Sequence, residues 1–284
     1  MMDPCGLAST SRRRYRRYME DGERQRYGSS FGAAAIAYAE HRPDYAEAAL
    51  RWALELAPGS RVLDLGAGTG KLTEGLVALG AEVTAVEPDP AMLAQLRHAI
   101  PTVSALAGSA ETIPLPDASV DAVLAGNAMH WFDMDVAGPE IARVLAPNGI
   151  LAGLWNIFDN RIEWVAELAR VGGSQAIGSR DMVTNWHYET ARMHLANSGA
   201  IAHFDSSEQA VFQHGQRRTA DTLVATFATK AGVLVMPEQV REAVLLGIRE
   251  FLVGNPETAA GEFTLPMLTG VLRVRRMNAI GCRS

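Results

Sequence analysis

Cysteine is nearly missing from this chain. Its 284 residues hold two, Cys5 and Cys282, one near each end. Neither lies in a CxxC or Cys/His cluster, so neither a disulfide framework nor a structural zinc is indicated. A reducing, cytoplasmic setting is the default expectation. Lysine is equally scarce: Lys71 and Lys230 stand against a large excess of arginine, which fits a GC-rich coding sequence better than a demand for guanidinium groups. Long apolar runs are absent as well. The longest, around Phe31–Ala39 and Ile150–Ile157, reach about half of the ~20 residues that a membrane span requires. Positive charge is not in excess: the net charge is −6, which argues against a surface that grips nucleic acid throughout. With 48% apolar and 20% charged residues, the chain is too apolar for a disordered polymer and reads as a globular protein.

Charge is nonetheless uneven. Arg12-Arg13-Arg14-Tyr15-Arg16-Arg17 is a basic burst. A twin-arginine export signal would need an apolar stretch behind it, and Met19-Glu20-Asp21-Gly22-Glu23-Arg24 follows instead. Residues 1–30 are therefore expected to be a solvated tail, with a nucleic-acid or membrane-surface arm as the competing reading and Met19 as an alternative start.

Beyond the tail, apolar periodicity predicts helix over Ala33–Leu56 with a break at Arg42-Pro43. Strands are expected at Arg61–Leu65, Ala81–Glu87, Thr102–Leu106, Ser119–Ala125 and Gly149–Trp155, alternating with helices after Gly70, at Pro90–His98 and at Val136–Leu145. That alternation means βαβ units and a parallel sheet. After Asn156 the rhythm changes: helices are expected at Glu163–Val171, Tyr188–Asn197, Thr219–Thr229 and Glu238–Val253, and strands at Ile201–Phe204, Gln209–Phe212 and Glu262–Val274. One domain over 31–284 is expected, with a ligand-binding half at 31–156 and a sheet-completing cover at 157–276.

The most informative segment is Val62-Leu63-Asp64-Leu65-Gly66-Ala67-Gly68-Thr69-Gly70. A strand runs into a glycine turn that opens a helix, and glycine lets the backbone approach a ligand without a Cβ between them. Asp64 stands where an apolar residue would suit packing, and Glu87 ends the next strand, where a carboxylate can accept both ribose hydroxyls. A dinucleotide fingerprint would need a third glycine at position 71, which is Lys71.

The pattern DxGxGxG followed by Glu87 instead resembles the class I S-adenosylmethionine-dependent methyltransferases. Gly108-Ser109-Ala110-Glu111 with Ile113-Pro114-Leu115-Pro116-Asp117, then Val120-Asp121-Ala122-Val123, then Arg143-Val144-Leu145-Ala146-Pro147-Asn148-Gly149 resemble that family's later motifs, in the right order. The resemblance implies a Rossmann-like α/β fold: a mostly parallel seven-stranded sheet, helices on both faces, and a decorated C-terminal half. It implies S-adenosylmethionine as cofactor, with Gly66, Ala67, Gly68 and Gly70 shaping the loop under its methionine part and Asp64 steering its ammonium. Glu87 would hold the ribose. Pro88 and Met92 would pack at the adenine, with Ser109, Ala110 and Glu111 nearby. Ser109 departs from the family's usual Asp, and the charge-assisted bond there is lost. Asn127 would face the methionine end, or else cap a helix.

Tyr38-Ala39-Glu40-His41-Arg42-Pro43-Asp44-Tyr45 resembles a stretch of small-molecule members similar to the trans-aconitate and ubiquinone-biosynthesis methyltransferases. There Tyr38 would cap the sulfonium side and Arg42 would meet a carboxylate; ordinary packing is the competing reading. Methyl transfer needs no metal, and no metal cluster is visible. Neither a DNA amino-methyltransferase turn nor a suitably placed nucleophilic cysteine is present, so nucleic-acid bases are not the expected acceptor. A small organic or lipid-like molecule, accepting at oxygen or nitrogen or on a carboxylate, is expected. His130, beside Trp131 and Phe132, is the candidate catalytic base, with substrate contact and simple packing as its alternatives. Trp155, Phe158, Trp164 and Trp186 are read as pocket lining or core; His187, His194, His203 and His214 have no metal spacing. The rival function is a cofactor-binding regulatory subunit without catalysis.

Overall fold

A computed structural model describes residues 32–191 and 203–277. The basic tail, both cysteines, His194 and the expected strand start at Ile201 lie outside the described residues.

A short 3-10 turn at Gly32–Ala34 leads into α1 (Ala35–His41) and α2 (Glu47–Leu54). Pro43 forces the residue before it out of the helical region, and Arg42 accordingly ends α1 in extended backbone (φ −70°, ψ 140°). Next come β1 (Arg61–Leu65), α3 (Lys71–Ala78), β2 (Glu82–Glu87), α4 (Pro90–Ala99), β3 (Ser104–Ala107), β4 (Val120–Gly126), α5 (Met134–Val144) and β5 (Leu145–Phe158). The remainder comprises α6 (Glu163–Ala176), α7 (Val183–Ala191), β6 (His203–Phe204), β7 (Glu208–Arg218), α8 (Ala220–Ala228), α9 (Ala231–Leu234), α10 (Glu238–Gly254) and β8 (Phe263–Met277).

The sheet order is β3-β2-β1-β4-β5-β8, with β6 and β7 paired one after the other along the outer edge of β8. They share one position, so the sheet has seven. β1 to β5 run parallel, and β8 runs against both β5 and β7. Alternate residues of the central strands face opposite layers. Leu63, Leu65, Val123 and Leu151 pack with Ile141 and Val144 of α5. Val62, Leu124 and Ile150 pack with Leu50 of α2 and Leu76 of α3. A separate core joins Phe158 and Trp164 to Phe227, Ile248 and Phe263 under the C-terminal helices.

Three expectations change. β5 begins at Leu145 rather than Gly149, because Asn148 takes a left-handed φ of 64° and a register shift absorbs the motif residues. β7 extends to Arg218, not Phe212. It is an edge strand, so its outer half is polar and does not read as a strand by apolar content. The helix expected at Tyr188–Asn197 begins earlier, at Val183.

Candidate active site

After β1 the chain turns through the glycine loop into α3. Gly66 has φ 71°, Gly68 58° and Gly70 98°, a region that L side chains rarely adopt. Their surroundings differ. A Cβ at Gly66 would lie 2.8 Å from Ala128 Cβ, and one at Gly70 would lie 3.0 Å from Ile100 Cδ1. Those two glycines admit packing neighbours. At Gly68 the nearest atoms are Met92 Sδ at 3.8 Å and Tyr38 Cε1 at 3.9 Å, so Gly68, Met92 and Tyr38 bound one space.

The amides of Gly66 and Ala67 both donate to the Val86 carbonyl, at 2.9 and 3.1 Å. The Gly68 amide donates to Glu87 Oε2 at 2.9 Å, and the Asp89 amide to Glu87 Oε1 at 2.8 Å. Burial raises the Glu87 pKa, against the lowering effect of those two bonds. Pro88 is exposed beside it, while Met92 is buried. Asp89 caps α4, accepting from the Ala91 and Met92 amides with Pro90 at the first helical position.

Asp64 is fully buried. Its Oδ2 accepts from Thr73 Oγ1 at 2.6 Å, and its Oδ1 has no partner. Burial, with a further push from Glu87, raises its pKa to about 7, although the Thr73 bond acts the other way. Tyr45 also senses that charge: burial first, then Tyr38 and Asp64, raise its phenol pKa.

Asn127, just past β4, has φ 50° and donates from its amide nitrogen Nδ2 to the Tyr45 hydroxyl at 3.0 Å. It caps no helix. The following 3-10 turn, Met129–Trp131, has Ala128 at its cap position. Gly126 makes room for this pairing, since a Cβ there would lie 2.5 Å from the Tyr45 oxygen. Of the loop after β3, Ala110 is buried in the core, Ser109 is half-buried, and Glu111 accepts from the Asp133 amide at 2.9 Å. Glu111 thus ties that loop to the start of α5.

The Arg42 guanidinium lies 4.5 Å from the Tyr38 ring centroid. It opens into a cavity that it shares with Asn127, Asn156, Phe158, Arg218 and Lys230. The Arg218 Nη2 donates to the His41 carbonyl at 3.1 Å, and Lys230 Nζ meets Asp181 at 2.9 Å. Sequence reasoning missed Arg218 and Lys230. The signal available for Lys230 was its rarity in a chain that otherwise uses arginine.

His130, the candidate base, has one ring nitrogen engaged. Its Nδ1 accepts from Trp155 Nε1 at 3.3 Å, which leaves the ring proton on Nε2 as a donor. Burial, then Arg180, Lys230 and Arg42, push its pKa well below the ordinary value, so the ring stays neutral. Trp131 packs against it with the rings tilted by 42° and their centroids 4.8 Å apart. Trp155 and Trp186 are core residues, as is Trp164. Trp155 and Trp186 lie 6.1 Å apart, and Trp186 covers Gly270, where a Cβ would come within 2.4 Å of the indole. His187 bonds Gln209 and His214 bonds Thr269.

A larger depression lies at the opposite, N-terminal ends of the strands, around Arg61, Glu82, Ser104 and Val120. Open parallel sheets bind ligands at the C-terminal ends, where Asp64, Glu87 and Asn127 are. Among the described residues there is no metal-holding group of His, Cys, Asp and Glu, and no helix is long and apolar enough to cross a membrane.

Over 245 residues, 86% of this chain and 94% of the relative, the protein is 40% identical to an uncharacterized methyltransferase of Mycobacterium tuberculosis. A family model described as a methyltransferase domain matches residues 63–153. The chain belongs to the class I S-adenosylmethionine-dependent methyltransferases. The methyltransferase is also similar, at 36% identity over 52% of its chain and 59% of the relative, to a malonyl-[acyl-carrier protein] O-methyltransferase of Methylococcus capsulatus. A solved structure, assigned as a type II methyltransferase from Anaeromyxobacter dehalogenans, superposes with a TM-score of 0.55 at 27% identity, over 83% of this chain and 97% of that one.

Membership implies S-adenosylmethionine as methyl donor, and the methyltransferase has residues that fit it. The unpartnered Asp64 oxygen lacks a donor of the kind an ammonium offers. Glu87 is a buried carboxylate that two bonds already orient. The space beside Gly68 has no side chain of its own.

Proposed function

We propose that this enzyme transfers the methyl group of S-adenosylmethionine to a small organic acceptor seated beyond Asn127, between α1 and the β7–α9 segment. The observation that carries the reading is the pair of buried acids at the strand ends, Asp64 with one oxygen unpartnered and Glu87 beside Gly68. When bound, the donor supplies an electrophilic methyl group on a sulfonium. Asp64 would receive its ammonium and Glu87 its ribose diol. Gly68 would lie under the methionine part, with Gly66, Ala67 and Gly70 fixing the loop's shape. Pro88, Met92, Ser109 and Ala110 would bound the adenine, while Tyr38 would lie over the sulfonium side.

Acceleration then comes from holding two reactants in line and excluding water. Asn127 and Tyr45, bonded to one another, would stand between the donor and the Arg42 cavity and fix the approach. His130 would orient the acceptor through its Nε2 proton. The name of the Methylococcus relative favours oxygen as the acceptor atom. Calorimetric titration with S-adenosylhomocysteine tests the donor site; micromolar binding is expected and its absence refutes the reading. Incubating cell extract with enzyme and methyl-labelled donor should then yield a labelled small molecule rather than labelled nucleic acid.

A further inference from the structure

The small cavity beside the Gly68 space is lined by three cations, of which Lys230 alone is paired with a carboxylate among the described residues. Arg42 comes from the end of α1, Arg218 from the end of β7, and Lys230 from the link between α8 and α9. Three separated segments therefore deliver positive charge to one place. The Nε atoms of Arg42 and Arg218 are both buried without a partner. Burying an unpaired donor is costly. Among the described residues the one carboxylate bonded to any of the three is Asp181, on Lys230. Asp44 is mostly exposed and is engaged with Lys71 at 3.3 Å. Among the described residues, no carboxylate or imidazole is placed to remove a proton from an acceptor in this cavity, and Lys230 is engaged with Asp181. No Asp, Glu or His among the described residues lines the cavity, and the nearby His130 uses its basic nitrogen on Trp155. The Tyr45 hydroxyl accepts from Asn127.

Extending the proposed function, we infer that the acceptor is a small organic acid, one of whose acid groups is held by Arg42, Arg218 and Lys230, and that the methyl group goes to a carboxylate oxygen. A carboxylate enters already ionised, so the missing base is not missed. The oxygen–carbon bond forms as the carbon–sulfur bond breaks, its electron pair passing to sulfur. A neutral methyl ester and the neutral thioether result, and no proton moves. Asn156 at the same wall spends its amide on the Pro43 and Asp44 carbonyls and on Thr269, so it shapes the wall rather than binding the acid.

The test uses the full chain with malonate, succinate, glutarate and citrate, their neutral amides malonamide and succinamide, and phosphoglycolate. Thermal protection of the protein alone, and titration with S-adenosylhomocysteine present, should show binding of one or more acids and none of the amides. Arg218→Gln should weaken that binding about 10- to 100-fold, the usual effect of losing a charge-assisted bond, with S-adenosylhomocysteine affinity falling far less. Arg218→Lys should recover part of the loss, which guards against a mere folding defect. Label transferred in cell extract should be released as methanol by mild alkali, as an ester is. Equal binding of acids and amides, failure of all four acids, acid affinity indifferent to Arg218→Gln, or an alkali-stable product each overturns the inference. Phosphoglycolate binding in preference to every carboxylate overturns the choice of carboxylate. Loss of S-adenosylhomocysteine binding alone would instead strike the donor assignment and leave the acid site standing.

Discussion

The two compartments that meet at Asn127 carry opposite charge, and neither is fully balanced internally. The donor side holds Asp64 and Glu87, both buried and both with raised pKa. The acceptor side holds Arg42, Arg218 and Lys230, and burial lowers the pKa of the latter two. In each compartment the protein bears a desolvation cost that its own groups do not fully offset. A cationic sulfonium with its ammonium would complete the first, and an organic anion the second. Polar groups left short by the fold mark where a ligand belongs.

The contrast can be broken most severely at the glycine loop. Gly68→Asp forces a left-handed φ on an ordinary residue, costing roughly 1–2 kcal/mol, and adds a third carboxylate beside Glu87. S-adenosylhomocysteine affinity should fall by more than about 100-fold in calorimetry, with organic-acid protection retained. Asp64→Asn should have a divided effect. Its donor-site affinity should drop about 10-fold or more, because a charge-assisted bond is lost. Its stability should move the other way. Between the ordinary carboxyl value and about 7, the folded wild type holds a proton that the unfolded chain has released. Stability therefore falls as pH rises through that window. The melting temperature of Asp64→Asn should exceed that of wild type at pH 8 and lose the advantage at pH 5. By the same sign, wild-type affinity for the donor should rise as pH climbs through 7.

Lys230→Met sharpens the other side. It strands the Asp181 carboxylate in a partly buried site, at roughly 2 kcal/mol or about 4–8 °C in melting temperature, and the double variant with Asp181→Asn should recover most of the loss. His130→Gln should change least. A donor survives there, so turnover should stay within about 5-fold of wild type and flat from pH 6 to 9. A loss of two decades would assign it a base role.

What could be read from the sequence divides along the same boundary. The strands up to Phe158 announce themselves because parallel strands are buried on both faces and read as apolar runs. Asp64 and Glu87 are conspicuous as acids at the ends of such runs. The acceptor side gives no comparable sign. Arg218 ends a half-solvated edge strand whose polar alternation resembles loop, and Lys230 sits between two short helices. Only the pairing of β7 with β8 and the docking of α8 bring them to Arg42. Asn127 was found, but its bond to Tyr45 depends on chain segments far apart in sequence.

The His41 carbonyl accepts from both Arg218 and the Thr226 hydroxyl, at 3.1 and 2.9 Å. On the proposed reading, the helix that would carry Tyr38 over the donor is thus clasped by the segments that would grip the acid. Filling either side would then stiffen a strut common to both. Linkage then demands reciprocity: whatever factor the donor product adds to acid affinity, the acid must return in equal measure.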